Sequence, residues 1–480
     1  MTTYPTTTDC GATAVVRTHR RAAWIAGVVI AAGCASTSAP EFERPDVPTK
    51  TNWSADLGEE WSLELDWWRR FGDPYLEQLI ATAIERNAEL SVIAARSGVA
   101  RAYVRRAEAS LLPTVAAGAR QSSVATDGTP KVDVSEYGIG SELSWEIDVW
   151  GKARRGVEAQ EAAYQSSLAD WRAAHLALVG DVATAYLQLR LIDEQVDRQQ
   201  QAIQRGEEIL SIYNDMHAEG LIAQTDPLRQ ESELNALRAG LIDLERSRQL
   251  AVNGLSTLVG EPAGNIVIPD TTEFFDISPV DVPAGLPSEI LSRRPDLVAA
   301  EYRLLQAVNL NAQARLAQLP SIGLTSVGGT AAYNPTELFR TLTGTIGSFV
   351  RFPVFDPNVR ARIRVSDAQI EVAETEYRAA VFRAFEEVEN ALTNVSKRKE
   401  RNAELLKRID NLAEAQQQLS DRTRLGLASY LDLLEGQRSL LNAQQDFLLN
   451  RWQTLIDTVT LFKAVGGGWP PEQVGAQTIG

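Results

Sequence analysis

The sequence predicts an α+β membrane protein: four amphipathic strands per chain, carried on very long helices and built twice over by an internal repeat. Three observations predict it. Val132–Gly151, VDVSEYGIGSELSWEIDVWG, alternates with period two. Tyr137, Ile139, Ser141, Leu143, Trp145 and Ile147 fall on one face, and Glu136, Gly138, Gly140, Glu142, Ser144, Glu146 and Asp148 on the other. Side chains alternate across a strand, so this is one long strand with an apolar, aromatic-ended face and an acidic face. The apolar face returns 207 residues later as Gly344, Ile346, Ser348, Val350, Phe352 and Val354. Between the strand pairs run helical tracts without proline, the longest about 66 residues and so about 100 Å at 1.5 Å per residue.

The N-terminus has its own grammar. Arg17, Arg20 and Arg21 precede an apolar run from Ala22 to Gly33 that stops at Cys34. A basic region, a short apolar region and small residues form the layout of a secretory signal. The run is too short to span a bilayer. Small residues immediately before the cysteine resemble a bacterial lipobox, which implies removal of residues 1–33 and acylation of Cys34. Cys10 then leaves with the signal, and no disulfide chemistry remains. Residues 34–72, polar and proline-bearing at the start, are expected to form a tether.

Asp73–Pro74 opens a helix to about Leu111, with Leu76, Leu79, Ile80, Ala83, Ile84 and Leu90 at helical spacing. Pro113 starts a β-hairpin over 113–150, whose turn ATDGTPK carries Asp-Gly and Thr-Pro signals. The long helix runs from about Lys152 to His217. Gly220 stops it, and Asp226–Pro227 is read as N-cap and first position of a returning helix to Val259. Residues 260–288 form a proline-rich equatorial linker. A second helix start at Ser288, a hairpin over 320–356, a long helix over 358–425 and a return over 430–463 complete the chain, leaving 466–480 as a tail. Repeat one thus covers 73–259 and repeat two 289–465.

The repeat is legible residue by residue. RNAEL at Arg86 answers RRPDL at Arg293, and LLPTV at Leu111 answers QLPSI at Gln318. Gly220–Asp226 answers Gly426–Asp432. Each long helix has the length of two short ones laid end to end, which implies helical cylinder segments with both hairpins at one end and both tight turns at the other. Leu434, Leu441, Leu448, Leu455 and Phe462 recur every seven residues, a coiled-coil seam. Four strands cannot close a membrane barrel, and open edges are not tolerated in lipid. The chain must therefore oligomerise; two copies supply eight strands and three supply twelve.

Composition excludes other classes. A net charge of −16 argues against nucleic acid as the main partner. No phosphate loop, Cys/His metal spacing or nucleophile elbow occurs, and His175 and His217 stand alone in helices. Neither an enzyme, a cofactor nor a metal is expected.

WEIDVWGKARRG, RRPDL, FDPNVRARI, GLASYLDLLEGQRSLLNAQ and VGGGW resemble the TolC-type outer-membrane channels of tripartite efflux pumps, and the lipobox resembles the lipoprotein branch serving resistance-nodulation-division (RND) pumps. The resemblance covers nearly everything from Phe71 to Trp469. It implies a homotrimer with a twelve-stranded barrel continued by a periplasmic α-helical barrel. It implies export of drugs and other toxic solutes, with a periplasmic adaptor (membrane fusion protein) and an inner-membrane RND-type pump as partners. It implies a place in the outer membrane of a Gram-negative bacterium, with a lipid anchor and a reach into the periplasm. A type I secretion duct and a structural envelope lipoprotein with a coiled-coil stalk are the alternatives.

At the tight turns, Ser429 and Asp432 form a Ser-x-x-Asp capping box in their bland reading. The family resemblance implies a periplasmic constriction from an arginine before the turn, a leucine after it and an acid one turn further. The matching positions are Arg424, Leu431 and Glu435, with acids at Asp226 and Asp432 nearby. In a barrel, the apolar faces of both strands, from Tyr137 to Ile147 and from Ile346 through Phe352 to Val354, form the lipid-facing belt.

Overall fold

The structure, a computed structural model, describes residues 42–48, 53, 66–126, 132–269, 273–280, 287–425 and 427–467. The signal segment, Cys34, most of the first hairpin turn, Gly426 and the tail beyond Gly467 lie outside the described residues.

A short 3-10 turn, Trp67–Phe71, leads into α1 (Pro74–Arg86). Its N-cap Asp73 accepts hydrogen bonds from the backbone N–H groups of Tyr75 (2.9 Å) and Leu76 (3.2 Å). Two of the donors that every helix start leaves open are thereby satisfied. The expected single helix to Leu111 is instead two, because Asn87 turns extended (ψ 125°) and α2 (Ala88–Ala109) starts afresh. The Asn87 side chain accepts from Leu90 N–H at 2.8 Å, replacing the backbone bond lost at the break. The hairpin is β1 (Thr114–Thr126) and β2 (Val132–Ile147), followed by α3 (Lys152–Ala218).

The returning helix α4 (Thr225–Leu258) corrects the expected cap. Its N-cap is Gln224, without a side-chain bond, and Asp226 lies inside the first turn. The turn closes early, Asp226 N–H donating to Ala223 at 3.1 Å, and Pro227 lies in the first turn, where no donor is needed. The second start is likewise split, into α5 (Pro287–Arg293) and α6 (Pro295–Leu316). Pro295 cannot donate and disfavours helical geometry in Arg294 before it. Strands β3 (Ser321–Ala332) and β4 (Thr343–Arg351), then α7 (Pro357–Arg424) and α8 (Tyr430–Ala464), complete the order.

The chain divides into two compact units, and neither is a repeat. One draws on 99–164 and 302–375, the other on 46–98, 165–301 and 376 onward. The cause is β2 pairing with β3, which fuses the hairpins of both repeats into one antiparallel sheet, β1-β2-β3-β4. Within this unit Arg155 bonds Asn309 (3.1 Å), and Asn311 bonds Ser366 (2.9 Å) and Asp367 (2.7 Å), tying α3 to α6 and α6 to α7.

The second unit holds the larger apolar core, in which Trp67 stacks on Phe462 (centroids 4.7 Å apart) beside buried Tyr186, Tyr377 and Phe274. Its pseudo-symmetry is chemical. At one helix break Asn87 Nδ2 donates to the carbonyl of Leu258 (2.9 Å); at the other Arg294 Nη1 donates to that of Ala464 (3.1 Å). Both carbonyls belong to last turns of returning helices, where acceptors go unpaired. Gly260 and Gly466, at φ 76° and 95°, close those helices with the Gly260 N–H bonded to Thr257 and the Gly466 N–H to Lys463. A Cβ on Gly260 would collide with the carbonyl of Arg86, so the position needs glycine for space as well as for φ.

A polar network joins these layers. The Tyr186 hydroxyl donates to the buried Asp73 carboxylate, while Arg190 donates to Tyr186 (2.9 Å) and to the carbonyl of Pro269 (2.8 Å). Burial, helped by the Asp73 carboxylate, pushes the Tyr186 phenol well above its usual range, so it stays a donor.

Candidate functional site

The sheet has two chemically distinct faces, and the register decides which residues share them. Tyr137, Ile139, Leu143, Trp145 and Ile147 of β2 stand opposite Ala332, Thr330, Ser326, Leu324 and Ile322 of β3. Those β3 residues in turn oppose β4, Ser326 against Ile346 and Ile322 against Val350. On the other side Leu143 faces Val115 and Ile139 faces Ala119 of β1. Directly paired residues share a face, so the apolar faces of both repeats lie on the same side of one sheet. Ile346 and Val350 are 78% and 68% exposed there, an apolar surface without cover among the described residues.

The opposite face carries Glu136, Gly138, Gly140, Glu142 and Glu146, together with Arg120, which pairs with Glu136 at 3.4 Å. Phe352 and Val354, expected on the second strand, lie beyond its end at Arg351. Pro353 cannot donate to a ladder, and the chain turns there, Val354 N–H donating to the carbonyl of Phe352. At the same level Trp145 Nε1 donates to the carbonyl of Leu111 (2.9 Å) and Trp150 Nε1 to that of Pro320 (2.7 Å). Both indoles thus keep an apolar body and a satisfied polar edge. Burial raises the Asp148 carboxyl, but N–H donors of Arg154 and Ala153 and the Arg154 guanidinium outweigh it and hold it below its usual range.

At the tight turns, α3 ends in a Schellman motif, with Gly220 at φ 75° and Leu221 N–H bonded to the Met216 carbonyl (2.9 Å). The second turn repeats that long-reach bond, Leu427 N–H to Arg422 (2.8 Å). Asp432 sits in a full capping box, exchanging 3.2 Å bonds with Ser429. Leu425, Leu427 and Leu431 are all exposed by more than half. Leu431 and Glu435 line an open crevice of about 400 Å³ with Gly206, Gln230 and Leu237. Arg424 ends α7, its side chain outside the described residues, and Asp226 is half-buried in the first turn of α4. Among the described residues neither Glu435 nor Asp226 has an ion-pair partner.

The sequence reading missed Asn87 and Arg294 as joints. RNAEL and RRPDL marked them as repeated, and the proline after Arg294 marked a break. Their acceptors lie about 170 residues away, outside any local signal.

The family model described as outer membrane efflux protein matches residues 79–261 and 286–467, once per repeat. The chain belongs to the outer membrane efflux protein family. Its relatives include the pyoverdine export outer membrane protein OpmQ of Pseudomonas aeruginosa, 31% identical over 94% of this chain and 97% of that one. The probable efflux pump outer membrane protein TtgC of Pseudomonas putida is 31% identical over 90% of this chain and 92% of the relative. Among solved structures, the open state of the MtrE outer membrane channel of Neisseria gonorrhoeae is similar at a TM-score of 0.82. It is 30% identical in sequence and spans 90% of this chain and 98% of that one. The efflux protein is accordingly an outer-membrane channel component of a tripartite export system, with a TolC-type fold.

Proposed function

We propose that three copies close a twelve-stranded barrel and that the resulting duct passively exports small organic solutes delivered by an inner-membrane RND-type pump through a periplasmic adaptor. The observation that carries the reading is the four-stranded sheet, apolar on one face across both repeats, with open edges at β1 and β4. Such edges demand partners in lipid. The pyoverdine export named for one relative favours organic solutes. The reading assigns the chain no catalysis, metal or cofactor. The mass of the native particle and conductance after reconstitution test it; a monomeric particle, or one without conductance in any variant, overturns it.

The resting duct is read as closed at the tight turns by Arg424, Leu431 and Glu435, with Asp226 and Asp432 as neighbouring acids. The exposure of Leu431 supports the reading, since a ring of such leucines excludes water. Ion pairs between exposed tips are worth about 0–1 kcal/mol each, weak enough for an adaptor to open. Arg424→Ala with Glu435→Ala is expected to raise single-channel conductance, and Leu431→Ser to raise it further. Equal conductance in wild type and triple mutant places the constriction elsewhere.

Cys34 is read as acylated, with Ala35 rather than aspartate after it, a favourable context for outer-membrane sorting. One lipid signal anchors weakly, so Cys34→Ser is expected to lose acyl labelling while most of the protein stays in the membrane. An unmodified Cys34 in the intact mature protein, found by mass spectrometry, rules the anchor out.

A further inference from the structure

The start of α7 carries cations that the fold neither pairs nor favours. Arg360, Arg362 and Arg364 are exposed, and among the described residues none has an ion-pair partner. The first turn of α7 holds no acid, and cations near a helix N-terminus work against its dipole. Arg360 and Arg364 stand one turn apart on one face, where like charges repel. The start of α3 is the contrast. There Lys152, Arg154 and Arg155 each have a carboxylate, from Glu146, Asp148 and Glu158. At α7 the nearby acids are engaged elsewhere: Asp356 caps the N–H groups of Asn358 (2.9 Å) and Val359 (3.4 Å), and Asp367 holds Arg315 (2.7 Å).

Directly before these arginines the chain exposes apolar side chains: Phe352 by 45%, Val354 by 80% and Phe355 by 77%. They continue from the end of β4, whose Ile346 and Val350 belong to the apolar face of the sheet. An exposed apolar segment followed by unpaired arginines has the order of a membrane interface, with acyl chains first and phosphates next. Distances agree. Arg360 and Arg364 lie about 5 and 10 Å along the helix from Pro357. The headgroup layer on one side of a bilayer is about 5–7 Å thick, and arginine stems extend to bring the guanidinium back to it.

We propose that this strand–helix junction docks on the periplasmic leaflet of the outer membrane. Phe352, Val354 and Phe355 meet the acyl boundary, and Arg360 and Arg364 together hold the phosphate of an anionic glycerophospholipid. The planar donor fork of arginine matches phosphate oxygens. A bound anion relieves both the dipole conflict and the repulsion within the pair. Arg362, turned about 200° from both neighbours, takes no part. The proposal rests on the barrel reading, which sets the membrane level.

The test reconstitutes the full-length protein into vesicles of phosphatidylethanolamine alone or mixed with phosphatidylglycerol. After extraction in detergent, the retained lipids are quantified by mass spectrometry. Wild type is expected to enrich phosphatidylglycerol over phosphatidylethanolamine. Arg360→Gln with Arg364→Gln is expected to lower that enrichment about tenfold or more, since each cation near an anionic surface is worth about fivefold. Arg362→Gln, and Arg383→Gln with Arg401→Gln farther along α7, are expected to leave it unchanged. Equal enrichment in wild type and the double variant overturns the proposal, as does an equal loss in Arg362→Gln. Displacement of the lipid by inorganic phosphate identifies a free-anion site and also overturns it. Conductance recorded from the same vesicles separates the two readings: conducting protein without lipid preference sinks this proposal alone, and protein that never inserts sinks the barrel reading with it.

Discussion

Leu143→Arg is expected to keep the protein out of the outer membrane, whereas Glu142→Arg, one residue away, leaves it there. Leu143 lies on the apolar face, opposite Val115 and Ser326, with Ile346 and Val350 on the same side of the sheet. An arginine there, near mid-membrane, costs about 2–4 kcal/mol per copy, and the proposed trimer multiplies it threefold. Glu142 points to the acidic face, opposite Ala116 and Val327. A charge there meets water and other charges. Fractionation of outer membranes and recovery of the trimer in mild detergent give the answer. Equal insertion of the two variants means the facing assignment is wrong.

Arg294→Ala is expected to weaken the helical unit without touching the barrel. Arg294 is 8% exposed and makes four contacts: the Ala464 carbonyl, both Asp296 oxygens (3.0 and 2.7 Å) and Glu387 (2.7 Å). Burial alone lowers the basicity of its guanidinium, but Asp296 and Glu387 raise it past the usual value. Both carboxylates are about half exposed, so the variant leaves them mostly to water. The main loss is then the charged bond that closes α8, about 2 kcal/mol. That corresponds to melting about 3 °C lower for a unit of this size, read by circular dichroism of the helices. Asn87→Ala, which removes both the neutral counterpart and the bond that Leu90 N–H donates to the same side chain, is expected to cost about as much. An unchanged melt for Arg294→Ala means α8 ends in place without this bond.

The strands and long helices were legible because their signals are local and periodic. Alternation located β2, and the absence of proline located α3 and α7. The capping box at Ser429 was legible for the same reason, its partners being three residues apart. Asp226 was misread because Asp-Pro looks like a helix start wherever it occurs, while the turn closed earlier through Ala223. The breaks at Asn87 and Arg294 were missed because apolar spacing continues across them; what makes each break tolerable is an acceptor on a distant helix.

By itself the sequence determined the repeat, the element types and the amphipathic faces, since each depends on residues within a few positions or on self-similarity along the chain. Only the tertiary structure decided that the two hairpins form one sheet with their apolar faces on one side, because β2–β3 pairing joins residues nearly two hundred positions apart. It also decided that the compact units cut across the repeats and that helix breaks are sealed by returning helices. The physical reason is common to all three. An unpaired strand edge, a free carbonyl at a helix end and a close glycine contact are satisfied by whatever the fold brings near, and nearness in space carries no periodicity along the chain.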